Sequence, residues 1–334
     1  MYIELWQSLE TLSSMRGYVR RRVKPESACG LFLAVAKPSN QHLLHIQLQG
    51  VASPAMSSLP SARGLDVTII PSTSEQEGFI IQLALKDSRF TTIFDALCND
   101  IVEILAPIQS QSVVMTTLIS RLRRWQKFLA QTGPEGLSRE AQQGLYGELW
   151  FLRERLISLA GYYPALLAWA GPAGAHQDFL LQSVAVEVKT TGTKEPQQMI
   201  IQSERQLDDS GLVALFLFHL AVDVRDGAGE SLNTMIASLR EILKVDPSAL
   251  DLYEDRLLEA GFLQTQAAQY ESVRYHVRGT HLFQVKGAFP RIIEADLKPG
   301  VGAVKYSISV AECRHFAVTE DVLKSHLIGL NYGK

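Results

Sequence analysis

The sequence predicts an α/β protein in which a mainly β N-terminal region and a helical connector precede a C-terminal α/β domain. Four short apolar segments, bounded by Pro, Ser, Asn or Gly, fill residues 1–105 as strands do. Helical periodicity then takes over until Gly133-Pro134 breaks it. Beyond this break, apolar strand segments are interspersed with amphipathic helices. We therefore place the domain boundaries at 1–105, 106–136 and 137–334.

The apolar segments of the N-terminal region have the length of strands. They are CGLFLAVA, HLLHIQLQ, LDVTII and GFIIQLAL, and the second and third are separated by a loop-like stretch, Ser53 to Arg63. No catalytic motif occurs here, so we interpret the region as a scaffold or recognition domain. The basic residues 20–22 and Lys24 are compatible with contacts to DNA, although such runs are more often solvated surface.

The connector contains an amphipathic helix with a basic outer surface. Its apolar stripe recurs at helical spacing, at Leu118, Leu122, Trp125 and Leu129. The other faces carry Arg121, Arg123, Arg124 and Lys127. A helix with these side chains is able to contact phosphates, whereas a solvated helix surface is the commoner explanation of the same pattern.

The C-terminal domain begins with a long helix, for which Ser138 is the expected N-cap and Gly161 the expected stop. Strands are expected next, at 178–181, 184–189, 199–202 and 212–222. Two further helices, three strands and a last short helix are expected at 231–244, 249–260, 270–277, 282–285, 304–310 and 320–326. We expect a mixed sheet with the Ser138 helix on one face and the later helices on the other.

The segment VAVEVK, residues 184–189, places a carboxylate and an ammonium group side by side. Alternation along a strand directs the three valines to one face and Ala185, Glu187 and Lys189 to the other. A glutamate at this place is able to bind a divalent cation, and a lysine to steady an attacking water or charge on phosphorus. An E-x-K pair alone is equally typical of an ion pair on a surface strand.

Asp178 is the natural second metal ligand. It precedes Glu187 by the spacing of a short hairpin, which would bring the two carboxylates together. Magnesium prefers several oxygen ligands, so the carbonyl of Val188 is a further candidate. A third carboxylate, Glu148, borders the apolar face of the Ser138 helix rather than its wet face. Because a buried carboxylate is costly without a partner, Glu148 is predicted to face the same site.

Composition and motifs exclude several other classes of protein. A net charge of -3 neither indicates nor excludes a nucleic-acid partner. The three scattered cysteines contain no CxxC pair, and the N-terminus lacks the pattern of a signal peptide. We therefore expect a cytoplasmic protein without membrane spans. No G-x-x-x-x-G-K-[ST] occurs, so the chain is not expected to hydrolyse ATP.

The set of a G-E-L on a helix, then Asp, then E-V-K resembles the PD-(D/E)XK, or restriction-endonuclease-like, superfamily. More narrowly, several phrases are similar to a bacterial group catalogued as PD-(D/E)XK proteins. These phrases are LSREAQQGLYGELWFL, WAGPAGAHQDF, VEVKTT, IQSERQLD, FPRI and VKYSISV. The resemblance spans Leu118 to Val310, and it departs from the family pattern where Gln177 stands in place of the proline before Asp178.

The resemblance implies a restriction-endonuclease-like core and a role for each matching residue. It makes Asp178 and Glu187 metal ligands, Lys189 the catalytic lysine, and Glu148 a helix carboxylate facing the metal. Gln206 matches a glutamine that often follows the core strands. The implied activity is a Mg²⁺-dependent DNA endonuclease, with Mn²⁺ as a substitute, in bacterial restriction or phage defence. Separately encoded methyltransferase or helicase partners are implied as well, and a homodimer is left open.

Two alternatives follow from the same residues. A subunit that keeps the nuclease fold but only binds DNA or a partner protein is the first. A purely structural protein is the second, although it gives Glu148 no purpose. Thr190 and Thr191 are able to donate to a phosphate, and they are equally good strand residues.

Overall fold

The computed structural model describes residues 2–14, 16–60, 62–71, 78–194 and 196–328. The chain divides into two compact units, Met1–Gly136 and Leu137–Lys334. Both units combine helices with strands, so the predicted α/β class is confirmed. Throughout the described ranges, every helix is too short or too polar to cross a membrane.

The N-terminal unit is built on an antiparallel sheet. Its elements in chain order are α1 (Ile3–Thr11), β1 (Gly17–Arg22), β2 (Gly30–Lys37), β3 (Gln41–Gln49), β4 (Leu65–Pro71), β5 (Gly78–Leu85), α2 (Thr91–Leu105) and α3 (Gln111–Gln131). The strands lie in the order β1-β2-β3-β5-β4. All four apolar segments predicted as strands are strands, and the predicted amphipathic helix of the connector is α3.

The register of this sheet explains why its apolar residues are buried. Leu33 pairs with Leu44, and Leu44 pairs with Leu83, so the three side chains share one face. Each of them is inaccessible to solvent. The basic residues 20–22 lie on the edge strand β1, where the guanidinium of Arg20 sits 4.2 Å from the ring centre of Phe32. The basic run is therefore an exposed strand edge.

The C-terminal unit contains the elements predicted from Ser138 onward. They are α4 (Arg139–Phe151), a π-helical turn (Leu152–Leu156), α5 (Ile157–Ala160), α6 (Tyr162–Ala168), β6 (Phe179–Leu181), β7 (Val184–Thr191), β8 (Gln198–Ile201), β9 (Ala214–Asp226), β10 (Glu230–Ser231), α7 (Leu232–Leu243), α8 (Pro247–Glu259), β11 (Val273–Gln284), β12 (Tyr306–Ser309), α9 (Val310–Cys313) and α10 (Glu320–Ile328). The main sheet has the order β10-β11-β9-β7-β6, and β8 pairs with β12 separately. Strands β7 and β9 are parallel and their other neighbours are antiparallel, so the sheet is mixed as predicted.

The prediction that later helices cover the face opposite α4 is wrong. Helices α4, α7 and α8 contribute to one core cluster with Val184, Val186 and Val188 of β7. The opposite face, which includes Ala185, packs instead against the β8–β12 ribbon and α9. The reason is that β9 is apolar on both faces, so its sequence does not specify which elements cover each face.

Helix α4 carries Glu148, and its boundaries follow the sequence. Ser138 Oγ accepts a hydrogen bond from the N–H of Ala141, as an N-cap does. The helical segment continues through the π turn and ends at Gly161, whose φ is +86°. Close to Glu148, Gly147 faces β7 so closely that an added Cβ would collide with Oγ1 of Thr190. The absence of a side chain at Gly147 therefore sets how near α4 approaches β7.

We expect Gly147→Ala to destabilise the protein by about 1–3 kcal/mol, because the added methyl group overpacks the contact between α4 and β7. Gly144→Ala in the same helix is the matched control, since an added Cβ at Gly144 meets no heavy atom within 4 Å. That control should stabilise the helix by about 0.5–1 kcal/mol. Urea unfolding of both variants measures the difference, and equal effects would contradict the close approach.

Candidate active site

The hairpin of β6 and β7 brings Asp178 beside the E-x-K segment. Phe179 pairs with Val186, so Asp178 lies opposite Glu187 at the end of the hairpin. Oδ2 of Asp178 accepts a hydrogen bond of 2.7 Å from the N–H of Val188. The hairpin thus brings Asp178 and Glu187 together, as their spacing in the sequence predicts.

Lys189 lies between Glu187 and Gln206. Its Nζ is 2.8 Å from Oε1 of Glu187 and donates a hydrogen bond of 3.1 Å to Oε1 of Gln206. The Glu187 side chain is 1% exposed and that of Lys189 is 14% exposed. The same Gln206 oxygen accepts from the N–H of Gln202, which fixes the amide orientation. Lys189 is therefore held in one place rather than free in solvent.

Glu148 reaches the site from α4. It is partly buried, and its Oε2 accepts a hydrogen bond of 2.7 Å from Nε1 of Trp169. With Asp178, Glu187, Lys189 and Gln206, it lines one cavity of about 580 Å³. The wall also includes Val188, the fourth predicted metal ligand. The structure thus brings together the side chains that the sequence predicts as catalytic.

Burial makes the ionised carboxylates of this cavity costly. Burial and the charge of Asp178 raise the pKa of Glu187 from 4.5 to about 8, despite the opposing effect of Lys189. Burial also raises the pKa of Asp178, and burial together with Asp178 raises the pKa of Glu148. For Lys189, burial lowers the pKa, but Glu187 and Asp178 raise it by more, so the ammonium stays charged.

These shifts predict that the metal-free protein loses stability as the pH rises. In the unfolded chain Glu187 ionises near its ordinary pKa of 4.5, whereas in the folded protein it keeps its proton to about 8. Between these values the folded state binds more protons, so the free energy of unfolding falls on the order of 1 kcal/mol per pH unit. Urea unfolding in EDTA measures this slope. Glu187→Gln should flatten it, and an unchanged slope in that variant would contradict the assignment.

The donor set fits a hard divalent cation, although its atoms are not gathered as a finished site. Among the described residues, no three His, Cys, Asp or Glu side chains form a group that could hold a metal ion. Yet Oε2 of Glu187 is buried and makes no hydrogen bond within the described part of the chain. A buried carboxylate oxygen in this state favours a cation as its missing partner. Carboxylate and carbonyl oxygens are the ligands that Mg²⁺ takes.

The residues predicted to contact DNA differ in their exposure to solvent and in the partners that they already have. Thr190 and Thr191 line the cavity, but Oγ1 of Thr191 is 2.8 Å from Nε2 of buried His219 and Oγ1 of Thr190 is itself buried. In the N-terminal unit, Arg121 forms two hydrogen bonds with Asp100. Arg123 is exposed, and Arg124 and Lys127 are partly buried and have partners. That these residues contact DNA remains a prediction.

Two residues of the site were missed from the sequence. Trp169 holds Glu148 across the space between α4 and the segment that follows α6. Gln143, one turn before Gly147 in α4, donates to the carbonyl of Thr190 at 2.8 Å and lines the cavity. Trp169 and Gln143 lie within the phrases WAGPAGAHQDF and LSREAQQGLYGELWFL, but no local pattern in these phrases assigns either residue to the site.

The family model described as "Putative PD-(D/E)XK family member, (DUF4420)" matches residues 2–311. No curated protein and no solved structure matches the chain significantly. The family match extends over the N-terminal region, where no motif was recognised, as well as over the unit that contains the cavity. Members of the PD-(D/E)XK superfamily are generally nucleases that use divalent metals. The chain belongs to this PD-(D/E)XK family, as its resemblance predicted.

Proposed function

We propose that the protein is a metal-dependent endonuclease that hydrolyses phosphodiester bonds in DNA. One observation carries the proposal: Glu148 from α4 lines the same cavity as Asp178, Glu187 and Lys189 from the hairpin. Acidic oxygens that bind a cation beside an ammonium group suit the hydrolysis of a phosphodiester, whose reaction develops negative charge. Family membership supports the same class of reaction.

The acidic residues have the role of holding Mg²⁺, for which Mn²⁺ can substitute. Asp178, Glu187 and Glu148 would supply carboxylate oxygens, and Val188 its carbonyl. When bound, such a cation offsets the charge of the phosphate and makes water a better nucleophile near neutral pH. The protonated carboxyl groups lose their protons to solvent as the cation binds, since a ligand carboxylate must be ionised.

Lys189 has the role of orienting water and stabilising charge on the phosphate. Its ammonium carries three donors, of which one is used by Gln206 and another faces Glu187. A further N–H is thus able to point into the cavity. Gln206 has a positioning role, because its carbonyl oxygen fixes the ammonium of Lys189. Both groups present an oxygen acceptor to the ammonium, which favours the protonated lysine.

The proposal predicts that Asp178→Asn reduces Mg²⁺-dependent DNA cleavage by at least about 100-fold, because an amide is a poor ligand for a hard cation. The measurement is nicking and linearisation of supercoiled plasmid with Mg²⁺, Mn²⁺ or EDTA. Asp251→Asn, at an exposed position of α8, is the control and should cleave as the wild type does. Cleavage that survives in Asp178→Asn would refute the proposed site.

A second candidate is a subunit that binds DNA without cutting it. The contact of Lys189 with Glu187, which occupies part of the acidic site without a metal, favours this candidate. It predicts DNA binding that weakens steeply with salt and does not depend on a divalent cation. Gel-shift titrations with and without EDTA, alongside the plasmid assay, distinguish the two functions.

The biological setting we propose is bacterial restriction or phage defence. This proposal rests on the family resemblance of the sequence, which also implies methyltransferase or helicase partners encoded separately. DNA is the partner that the chemistry of the cavity supports. Pull-down of the protein from its own cells, with DNase treatment as the control, tests for the protein partners and for a second copy of the chain.

A further inference from the structure

The short segment Trp169–Gly171 lies between α6 and β6. It contacts two acidic residues of the site, Glu148 and Asp178, which belong to separate elements. Trp169 is inaccessible to solvent, and its Nε1 donates to Oε2 of Glu148 at 2.7 Å. The N–H groups of Ala170 and Gly171 donate to the backbone carbonyl of Asp178 at 2.9 and 3.0 Å. Glu148 and Asp178 are therefore bonded to the same three-residue segment.

The chemistry of the indole group determines what it does to Glu148. An indole N–H donates a hydrogen bond and has no lone pair with which to accept one. Its bond to Oε2 therefore favours the ionised carboxylate and, in the neutral acid, a proton on Oε1. The indole thus occupies Oε2 and leaves Oε1 as the oxygen of Glu148 that is able to bind a cation.

Gly171 holds the same segment against Asp178. A Cβ added at Gly171 would lie 3.0 Å from Oδ1 and 3.2 Å from Cα of Asp178, which is tighter than ordinary side-chain packing. The other carboxylate oxygen, Oδ2, accepts from the N–H of Val188. The Asp178 carboxylate is thus confined between β7 on one side and the glycine on the other.

We infer that Trp169–Gly171 is a positioning segment, which fixes Glu148 relative to Asp178 so that both bind one divalent cation. The inference rests on the proposed function, because it concerns the same cation site. Neither Trp169 nor Gly171 is a ligand of the cation in this arrangement, so both act through the carboxylates that they contact. Groups that orient a metal ligand in this way typically change metal affinity by 10- to 100-fold.

The test is calorimetric titration of the full-length protein with Mn²⁺. Trp169→Phe should weaken Mn²⁺ binding by about 10- to 100-fold. Trp125→Phe is a matched control, since Nε1 of Trp125 donates to Oδ2 of Asp100 at the same 2.7 Å in the N-terminal unit. That variant should bind Mn²⁺ as the wild type does. In a Glu148→Ala background, Trp169→Phe should cause no further loss, because the indole acts through Glu148.

A further loss in the Glu148→Ala background, or an equal loss in Trp125→Phe, would show a general packing effect and overturn the inference. If Trp169→Phe does not fold, Gly171→Ala provides the test and should weaken Mn²⁺ binding by about tenfold or more. Unchanged Mn²⁺ affinity in a folded Trp169→Phe, with a wild type that binds Mn²⁺ and cuts DNA, overturns this inference alone. A wild type that binds no Mn²⁺ overturns the proposed function and this inference together.

Discussion

We expect Lys189→Met to reduce DNA cleavage by about 10²- to 10³-fold while it retains the affinity for Mn²⁺. Methionine has a side chain of similar length without the charge. The loss follows because the ammonium, held by Gln206 and Glu187, is placed to orient water and to stabilise charge on phosphorus. Metal affinity should persist or rise, because a positive charge beside the acidic residues repels a cation.

Plasmid cleavage and Mn²⁺ calorimetry at about pH 8, where Glu187 is substantially ionised, measure both parts of this prediction. Lys298→Met, at an exposed position, controls for the loss of a lysine and should leave both unchanged. Lys189→Arg should retain only part of the wild-type cleavage activity, since a planar guanidinium does not replace a compact ammonium. If Lys189→Met cleaves DNA normally, Lys189 is merely the ion-pair partner of Glu187.

Glu187→Gln should weaken Mn²⁺ binding by more than about 100-fold, because the substitution removes a direct carboxylate ligand. The two side chains have nearly the same shape, so the fold is retained. In the absence of metal the variant should be at least as stable as the wild type at about pH 8, since it no longer buries an ionised carboxylate. The combination of weaker binding with undiminished stability is characteristic of a functional, rather than structural, buried acid.

Calorimetry with Mn²⁺ and urea unfolding in EDTA test the two parts of this prediction. Glu312→Gln, at an exposed position of α9, is the matched control and should change neither quantity. If Glu187→Gln unfolds more easily than the wild type and still binds Mn²⁺, the ion pair with Lys189 stabilises the fold and Glu187 is not a ligand.

The hairpin that carries the candidate site was predictable because its information is local. Alternation in VAVEVK determined that the valines share a face and that Glu187 and Lys189 share the other. The short spacing between Asp178 and Glu187 sets a hairpin register that places them opposite each other. Glu148 was recognisable because a carboxylate bordering an apolar helix face needs a partner.

The partner of Glu148 was not predictable from local patterns. Trp169 reaches Glu148 through the fold, across 21 positions of sequence, and a tryptophan in an apolar phrase is more simply explained by core packing. The sequence predicts no helix between Gly161 and the strand at 178–181, whereas Tyr162–Ala168 form helix α6. Its Pro164 is tolerated because it occurs in the first turn, where the missing N–H has no helical partner.

The sequence also predicts two strands where the structure has one long strand, because a glycine interrupts the apolar pattern. The segments 270–277 and 282–285 were expected to be separate strands, but they are parts of the continuous strand β11. A bulge between Val277 and Gly279 absorbs the interruption, and pairing with β9 continues on both sides of it. A long neighbouring strand thus overrides the local break that the sequence indicates.

The most direct test of the proposed metal site is a crystal structure of the protein soaked in Mn²⁺, with anomalous scattering used to locate the ion. We expect a manganese peak in the cavity, in contact with carboxylate oxygens of Asp178 and Glu187 and with Glu148 among its ligands. If a crystal saturated with Mn²⁺ shows no peak at these carboxylates, or shows the ion only elsewhere, the assignment of this cavity as a metal-dependent active site is contradicted.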